Sequence, residues 1–156
     1  MIDQVRSSIP CVVVDVPHAW SSWARQTLCA ADEIVIVATP DLASLRNTKN
    51  MLDVVKSRRA NDSAPKLVLN QVGVAKRPEI PVKEFAAAVG QEPVLVLPFD
   101  PQLFGTAANN GQMLAEIQPN SRTAEGIRAL AELVTGRAVS QPAKKSFLSF
   151  LNKKTG

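Results

Sequence analysis

Four short apolar runs in this chain show no alternation with polar residues. They are rich in Val, Ile and Leu and occupy residues 11–14, 34–38, 67–69 and 94–97. Strands that are buried on both faces, as in a parallel sheet, have this composition. Stretches of helical character separate the runs, at residues 20–30, 42–59 and 82–89. The alternation predicts an α/β fold, a parallel sheet with helices on both faces.

Residues that begin and end helices lie where this pattern needs them. Asp41 stands directly before the second helical stretch, where its carboxylate can accept backbone N–H groups as an N-cap. Residues 61–65, which are polar and end in proline, close that stretch before the third apolar run. Gly136 marks the stop of the last helix. After the fourth run, further helical pieces are predicted at residues 103–108, 113–117 and 122–134.

Length and composition suit one folded domain followed by a short tail. A chain of 156 residues with 46% hydrophobic residues can bury one sizeable core. We expect the α/β domain to span residues 1–137, and a polar linker with a basic segment to span residues 138–156. No apolar run reaches the roughly 18 to 20 residues that cross a bilayer, and residues 1–10 lack a secretory h-region. The sequence therefore predicts a cytosolic protein.

The two cysteines, Cys11 and Cys29, offer no metal or redox motif. They form no CxxC pair, and no histidine lies at metal-ligand spacing from them. Because Cys11 begins an apolar run and Cys29 lies in a helical stretch, both are predicted to be buried, reduced thiols.

Polar residues follow the apolar runs at the strand ends where ligands collect in open α/β sheets. Asp15 comes straight after a hydrophobic run, the Walker B pattern in which a carboxylate holds magnesium directly or through water. Asn70 follows the third run, and Pro98 and Asp100 follow the fourth. A purely structural interpretation stands beside each: Asp15 and Asp100 can cap helices, and Asn70 can be a turn residue.

The chain contains no phosphate-binding glycine loop. Such a loop cradles phosphate with backbone N–H groups, and its lysine neutralises the phosphate charge. None of the seven glycines lies in a GxxxxGK[ST] context. A nucleotide site built by this chain alone would therefore lack its phosphate side.

Several segments resemble those of MinD/ParA-type P-loop ATPases. Residues 27–46 (TLCAADEIVIVATPDLASLR) are similar to the stretch after switch II in that superfamily, and LPFDPQLF with ANNG is similar to a later stretch. Within the superfamily, residues 15–20 (DVPHAW) and 40–47 (PDLASLRN) resemble the CpaE/TadZ proteins of Flp/Tad-type (type IVb) pilus assembly. The resemblance covers about residues 12–136. It implies the C-terminal half of a P-loop domain, without the P-loop.

The resemblance also implies roles for individual residues. Asp15 matches the switch II carboxylate near Mg²⁺ and the γ-phosphate, and Asn70 matches the asparagine that reads adenine. The loop from Pro98 to Asp100 matches the one that flanks the purine. ATP and Mg²⁺ are the cofactors of the full-length family. Without the P-loop, we expect this chain by itself to bind neither tightly and not to hydrolyse ATP.

The single histidine, His18, and two nearby tryptophans, Trp20 and Trp23, lie where the family's switch II loop would move. No serine, cysteine or acid lies at motif spacing from His18, so a catalytic base is not supported. Trp20 and Trp23 have helical i, i+3 spacing. Packing is the favoured interpretation for all three residues, ahead of partner contact.

The C-terminal segment has the pattern of an interfacial amphipathic helix, with an apolar face bordered by lysines. The residues of this pattern are Lys144, Lys145, Phe147, Leu148, Phe150, Leu151, Lys153 and Lys154. It resembles the membrane-targeting tail of MinD. A solvated tail, or a helix docked on protein, remains the alternative. Burial of the apolar side chains and lysine attraction give roughly 8 to 10 kcal/mol, which ordering about ten residues largely offsets. One tail should therefore bind weakly, and two tails in a dimer more strongly.

The resemblance implies a part of a CpaE/TadZ-like protein that localises pilus assembly, non-catalytic as this chain alone. Its expected partners are a second copy in the full-length protein, pilus-assembly or secretion ATPase components, and an anionic membrane surface. The expected location is the cytoplasmic side of the inner membrane. One alternative is an ATPase half-site completed by an upstream P-loop segment. A ParA-like DNA-binding module is a further alternative, but the net charge of +4 owes much to the tail, which argues against nucleic acid.

Overall fold

The computed structural model describes residues 9, 11–17 and 19–137. The strands in this part of the chain are β1 (Val35–Ala38), β2 (Lys66–Val72) and β3 (Leu95–Pro98). The helices are α1 (Ser22–Ala30), α2 (Leu42–Arg58), α3 (Val82–Val89), α4 (Pro101–Asn110), α5 (Leu114–Ile117) and α6 (Arg122–Thr135). The α/β prediction is confirmed, and the bounds of these elements differ from the predicted ones by a few residues.

The three strands form one parallel sheet in the order β1-β2-β3. Val37 pairs with Val68, and Val68 pairs in turn with Leu95 on the other side of β2. The Lys66 N–H extends the first ladder by donating to the Ile34 carbonyl at 2.8 Å. Because all strands run the same way, their carboxyl ends meet at one edge of the sheet. The register between β2 and β3 becomes irregular between Leu69 and Val72, near that edge.

One face of the sheet packs on α2 and α3 and holds the main core. Leu52 and Val55 of α2 are one turn apart and point at the sheet, as do Phe85 and Val89 of α3. Phe85 and Val89 are fully buried. The members of this cluster are Ile34, Ile36, Ala38, Leu52, Val55, Leu67, Leu69, Phe85 and Val89. Partly buried Leu28 of α1 also packs against the cluster.

The opposite face is covered by α6 over part of its width. Gly126 of α6 lies so close to β3 that an added Cβ would meet the Leu95 Cδ1 at 2.5 Å. Val68 of β2, on this face, is buried, whereas its neighbours in β1, Val35 and Val37, are 37% and 62% exposed. Helices therefore pack on both faces, as predicted, but their cover stops short of β1. No helix of the described residues is both long and apolar enough to cross a membrane.

The first predicted strand, at residues 11–14, is wrong. Residues 11–17 have no regular secondary structure, and Val13 is 90% exposed. An apolar run becomes a buried strand only where a neighbouring strand pairs with it, and no strand of the described residues does so here. Cys11 is consequently exposed rather than buried, and Cys29 is half-buried.

The predictions for the tryptophans, for His18 and for the helix ends have different outcomes. Trp20 and Trp23 are 44% and 49% exposed, so the described structure does not bury them as core residues. His18 lies outside the described residues. The Asp41 N-cap is confirmed, because its Oδ1 accepts the Ser44 N–H at 2.8 Å. Gly136 ends α6 in the left-handed conformation, with φ of 64°, as a helix stop requires.

Because α6 covers only part of the second face, valine-to-alanine substitutions at the paired positions 68 and 37 should lower the free energy of unfolding by different amounts. Val68→Ala should lower the free energy of unfolding by about 2 kcal/mol, since it removes buried methyl groups and leaves a cavity. Val37→Ala, at the strand partner, should cost under about 1 kcal/mol because its side chain is already solvated. Urea unfolding of both variants measures the difference. Equal costs would show that Val37 is covered in solution.

Candidate functional site

A cleft of about 160 Å³ opens where β2 and β3 end. Its lining residues are Asn70, Gln71, Pro98, Phe99, Asp100, Pro101 and Phe104. Three of the four residues predicted to bind nucleotide, Asn70, Pro98 and Asp100, therefore lie together in one cleft. The parallel pairing of β2 with β3 produces this meeting, because it brings two distant stretches of sequence to the same edge.

Two phenylalanines give the cleft its apolar surface. The Phe99 N–H donates to the Val72 carbonyl at 2.8 Å, which fixes the loop after β3 against the end of β2. The Phe99 side chain is 42% exposed, and Phe104, in the first turns of α4, is half-buried. Aromatic faces of this kind stack on nucleobases.

Asn70 and Gln71 form the wall of the cleft contributed by β2. Gln71 has φ of 56°, in the left-handed region that a residue with a Cβ adopts at a cost of about 1–3 kcal/mol. In this conformation the Gln71 N–H donates to the Oδ1 of Asn70 at 2.8 Å. The bond orients the Asn70 amide and leaves its Nδ2 hydrogens and a second Oδ1 lone pair for a ligand.

The loop after β2 is held by one carboxylate. Glu79 accepts the N–H groups of Gly73 and Val74, each at 2.9 Å, and a hydrogen bond from the Nη2 of Arg77 at 2.9 Å. The Gly73 and Val74 N–H groups, with the Arg77 charge, lower the pKa of Glu79. Arg77 also donates to the backbone carbonyl of Gln71 and, at 3.3 Å, to its Oε1. The guanidinium thus ties the loop to the cleft wall.

The end of β1 joins the same edge through Asp41. Hydrogen bonds from the Thr39 hydroxyl and the Ser44 N–H lower the pKa of Asp41, and the positive charge of Arg77 adds to this. The Ile80 N–H donates to the Pro40 carbonyl at 2.8 Å. The loop after β2 is therefore fastened to both β1 and β2.

Asp100 caps a helix, which is one of the two roles that the sequence left open for it. Its Oδ1 accepts the Leu103 N–H at 2.9 Å and caps α4. The capping bond uses Oδ1, so it does not exclude a ligand at Oδ2.

The fourth predicted residue, Asp15, is not brought to the cleft. It is exposed in the irregular segment 11–17 and is not among the residues that line the cleft. Across the described ranges, no three His, Cys, Asp or Glu side chains are grouped as metal ligands would be. A Mg²⁺ ion held by one carboxylate, waters and substrate phosphates needs no such group. The predicted membrane-binding residues, from Lys144 to Lys154, lie outside the described residues.

A larger depression, of about 460 Å³, lies between α1 and α2. Its lining includes Arg25, Arg58 and Cys29. It contains none of the predicted ligand residues and lies on helices rather than at the strand ends. We therefore place the candidate site in the smaller cleft.

Sequence reasoning missed Phe104, Arg77 and Glu79, and it gave Gln71 a place at a strand end but no role or conformation. Phe104 follows Asp100 by one helical turn, a spacing that places both at the start of α4. Arg77 and Glu79 flank a proline in the loop after β2, where an arginine and a glutamate two residues apart could have indicated an ion pair. The left-handed Gln71 had no sequence signal, because that conformation usually selects glycine or asparagine.

Comparison with known proteins shows what the chain as a whole is similar to. No family model matches the chain. It is 19% identical over 142 residues to the septum site-determining protein MinD of Bacillus subtilis, and covers 52% of that protein. It is 22% identical over 153 residues to an uncharacterised ATP-binding protein of Methanocaldococcus jannaschii, and covers 56% of it. The chain thus spans about half the length of these relatives.

Solved structures agree with the sequence relatives. A ParA family ATPase from Chlorobium tepidum superposes with a TM-score of 0.59 at 25% identity, over 72% of this chain and 46% of that one. A chain of the MinC:MinD cell division protein complex of Aquifex aeolicus superposes with a TM-score of 0.61 at 17% identity, over 79% of this chain and 50% of that one.

The chain is homologous to the MinD/ParA-type ATPases. The resemblance to that superfamily is confirmed, and so is the P-loop NTPase type of α/β fold. The finer resemblance to CpaE/TadZ proteins stays a prediction. Two of these proteins are named for ATP, the ATP-binding protein of Methanocaldococcus jannaschii and the ParA family ATPase of Chlorobium tepidum, which agrees with ATP as the family's nucleotide.

Proposed function

We propose that this chain forms the purine-binding half of a MinD/ParA-type nucleotide site. The observation that supports it most is the meeting of Asn70, Pro98 and Asp100 in one cleft with Phe99 and Phe104. The cleft lies at the carboxyl edge of a parallel sheet, where ligands of open α/β folds collect.

The residues of the cleft divide the work of holding a purine. The Asn70 amide offers a donor and an acceptor side by side, which matches the N1 acceptor and N6 donor of adenine. Its bond to the Gln71 N–H fixes the amide before a ligand arrives, so less rotamer freedom is lost on binding. Phe99 and Phe104 supply apolar surface for the faces of the base. Bound ATP would supply the phosphoanhydride bond that is hydrolysed. The residues of the cleft would bind and orient its base.

The phosphate side of the site must come from outside the described cleft. The chain has no glycine loop, and no strand of the described residues pairs with the outer edge of β1, beside which Val35 and Val37 are exposed. A strand that carries a P-loop would find both a backbone ladder and an apolar surface there. Asp15 would then approach Mg²⁺ and the γ-phosphate. The isolated chain is non-catalytic in this proposal, and a chain completed by a P-loop segment is the catalytic alternative.

The biological role that we propose is localisation of Flp/Tad (type IVb) pilus assembly by a CpaE/TadZ-like protein. The support is the similarity of residues 15–20 and 40–47 to that group, together with the homology to MinD/ParA-type ATPases. In this role the full-length protein forms a homodimer and contacts pilus-assembly or secretion ATPase components. It acts at the cytoplasmic face of the inner membrane, where the basic amphipathic tail binds anionic lipid.

The purine cleft predicts weak but specific binding of adenosine to the isolated chain. Titration with millimolar adenosine should shift the Asn70 side-chain amide and the Phe99 backbone amide in ¹H–¹⁵N NMR spectra. Asn70→Ala should weaken the binding about fivefold or more, because it removes hydrogen bonds to the base. Asn50→Ala, at an exposed position of α2, is the matched control and should bind as the original chain does. Equal binding by both variants would exclude Asn70 from base recognition.

The divided site predicts ATP turnover only when a P-loop segment is supplied. A fusion of a MinD-type P-loop half to this chain should hydrolyse ATP, and Asp15→Ala should slow it on the order of a hundredfold through loss of Mg²⁺ positioning. Asp53→Ala, which removes an exposed partner of Lys49, is the control and should leave turnover unchanged. A fusion that binds ATP without turnover would favour a scaffold over an ATPase.

The tail predicts binding to anionic vesicles that depends on residues 146–156. The chain should sediment with phosphatidylglycerol vesicles at low salt, less at high salt, and hardly at all with neutral vesicles. Deletion of residues 146–156 should abolish the binding, and a variant with Phe147 and Phe150 changed to serine should weaken it strongly. Unchanged binding after the deletion would contradict the membrane role.

A further inference from the structure

The loop after β2 has a construction that the proposed purine site does not by itself explain. The end of β2 and this loop together contain two residues other than glycine with positive φ, Gln71 at 56° and Lys76 at 62°. A residue with a Cβ keeps a positive φ only where the surrounding contacts stabilise that unfavourable conformation. The contacts that do so here converge on Arg77 and Glu79.

Glu79 closes the loop on itself. Its carboxylate accepts the Gly73 and Val74 N–H groups, each at 2.9 Å, so two successive backbone donors point at one charged acceptor. Its Oε1 also accepts a hydrogen bond from the Nη2 of Arg77 at 2.9 Å, and both side chains are half-buried, at 18% exposure for Glu79 and 27% for Arg77. Charge-assisted bonds to a half-buried carboxylate are stronger than neutral ones.

Arg77 carries this constraint to the cleft. Its guanidinium donates to the backbone carbonyl of Gln71 and to its Oε1, and thereby holds both ends of that residue. Gln71 lines the cleft, and its N–H in turn fixes the Asn70 amide through Oδ1. A chain of hydrogen bonds therefore runs from Glu79 through Arg77 and Gln71 to Asn70.

We propose that Arg77 and Glu79 form a brace that positions Asn70 for base recognition, so that the adenine preference of the cleft depends on two residues outside it. This inference rests on the proposed purine site. Arg77 and Glu79 are positioning residues in it, because neither lines the cleft. Without the brace, Gln71 relaxes toward an ordinary extended backbone, and the Asn70 amide loses its fixed orientation.

The brace can be tested in the 156-residue chain by NMR, first without ligand. In Glu79→Gln and Arg77→Met variants, the Gly73 and Val74 amides should exchange with solvent faster than in the original chain. The HN–Hα coupling constant of Gln71, which reports φ, should change. Arg77→Lys should give an intermediate result, because lysine keeps the charge but has no fork to reach both partners. Glu84→Gln, at an exposed glutamate in the first turn of α3, is the control and should change nothing in this loop.

Titration with adenosine and guanosine then measures the consequence for base recognition. Glu79→Gln and Arg77→Met should weaken adenosine binding about fivefold and bring the affinities for the two nucleosides closer together. The double variant should lose little more than either single one, because the two residues act through the same brace. Urea unfolding midpoints separate this effect from general destabilisation, which would weaken the binding of both nucleosides equally.

The outcomes distinguish the brace from the cleft. If the original chain binds adenosine and both variants keep its affinity and base preference, the brace has no role in recognition. The same conclusion follows if affinity falls while the Gln71 coupling constant stays unchanged. An original chain that does not respond to adenosine overturns the purine cleft itself, and the positioning role with it.

Discussion

The backbone pairing of β2 on both of its sides is the constraint on which the rest of this structure depends. Leu67 and Leu69 are buried in the main core, and Val68 is buried on the opposite face. A strand enclosed in this way has one register in which every apolar side chain is covered. That register determines which residues of the neighbouring strands and loops meet at the carboxyl edge. The cleft is a consequence of it.

The regular part of β2 supports the fold, and its irregular end forms the site. Where the ladder with β3 is interrupted, Asn70 and Gln71 leave the buried core and turn toward the cleft. The unfavourable conformation of Gln71 is tolerated there because the core strand before it and the fastened loop after it leave little freedom. Local strain at a ligand site held by a rigid neighbourhood is a common arrangement in proteins.

The sequence predicted the parts of this protein that depend on local chemistry. Buried strands, helix periodicity and the capping residues Asp41 and Asp100 are encoded within a few residues of where they act, and the structure has them there. The segment 11–14 shows the limit, because a strand is defined by a neighbour and its own composition cannot supply one. The brace could not be predicted for a related reason. Its bonds depend on the conformation of Gln71, which the side chain of glutamine does not reveal.

The exposed edge of β1 has a consequence for how such a domain avoids unwanted association. Within the part of the chain that the structure describes, no strand pairs with this edge, and it lies beside solvated valines. Such an edge is a template for pairing with other chains, yet β1 has only four residues and Pro40 follows within two positions. A short strand and a nearby proline limit the number of hydrogen bonds that an incoming chain can form. The short edge therefore limits the binding free energy that backbone pairing alone can contribute. A partner binds firmly only if it also buries the valine face, and an unrelated β-strand that pairs without doing so binds weakly.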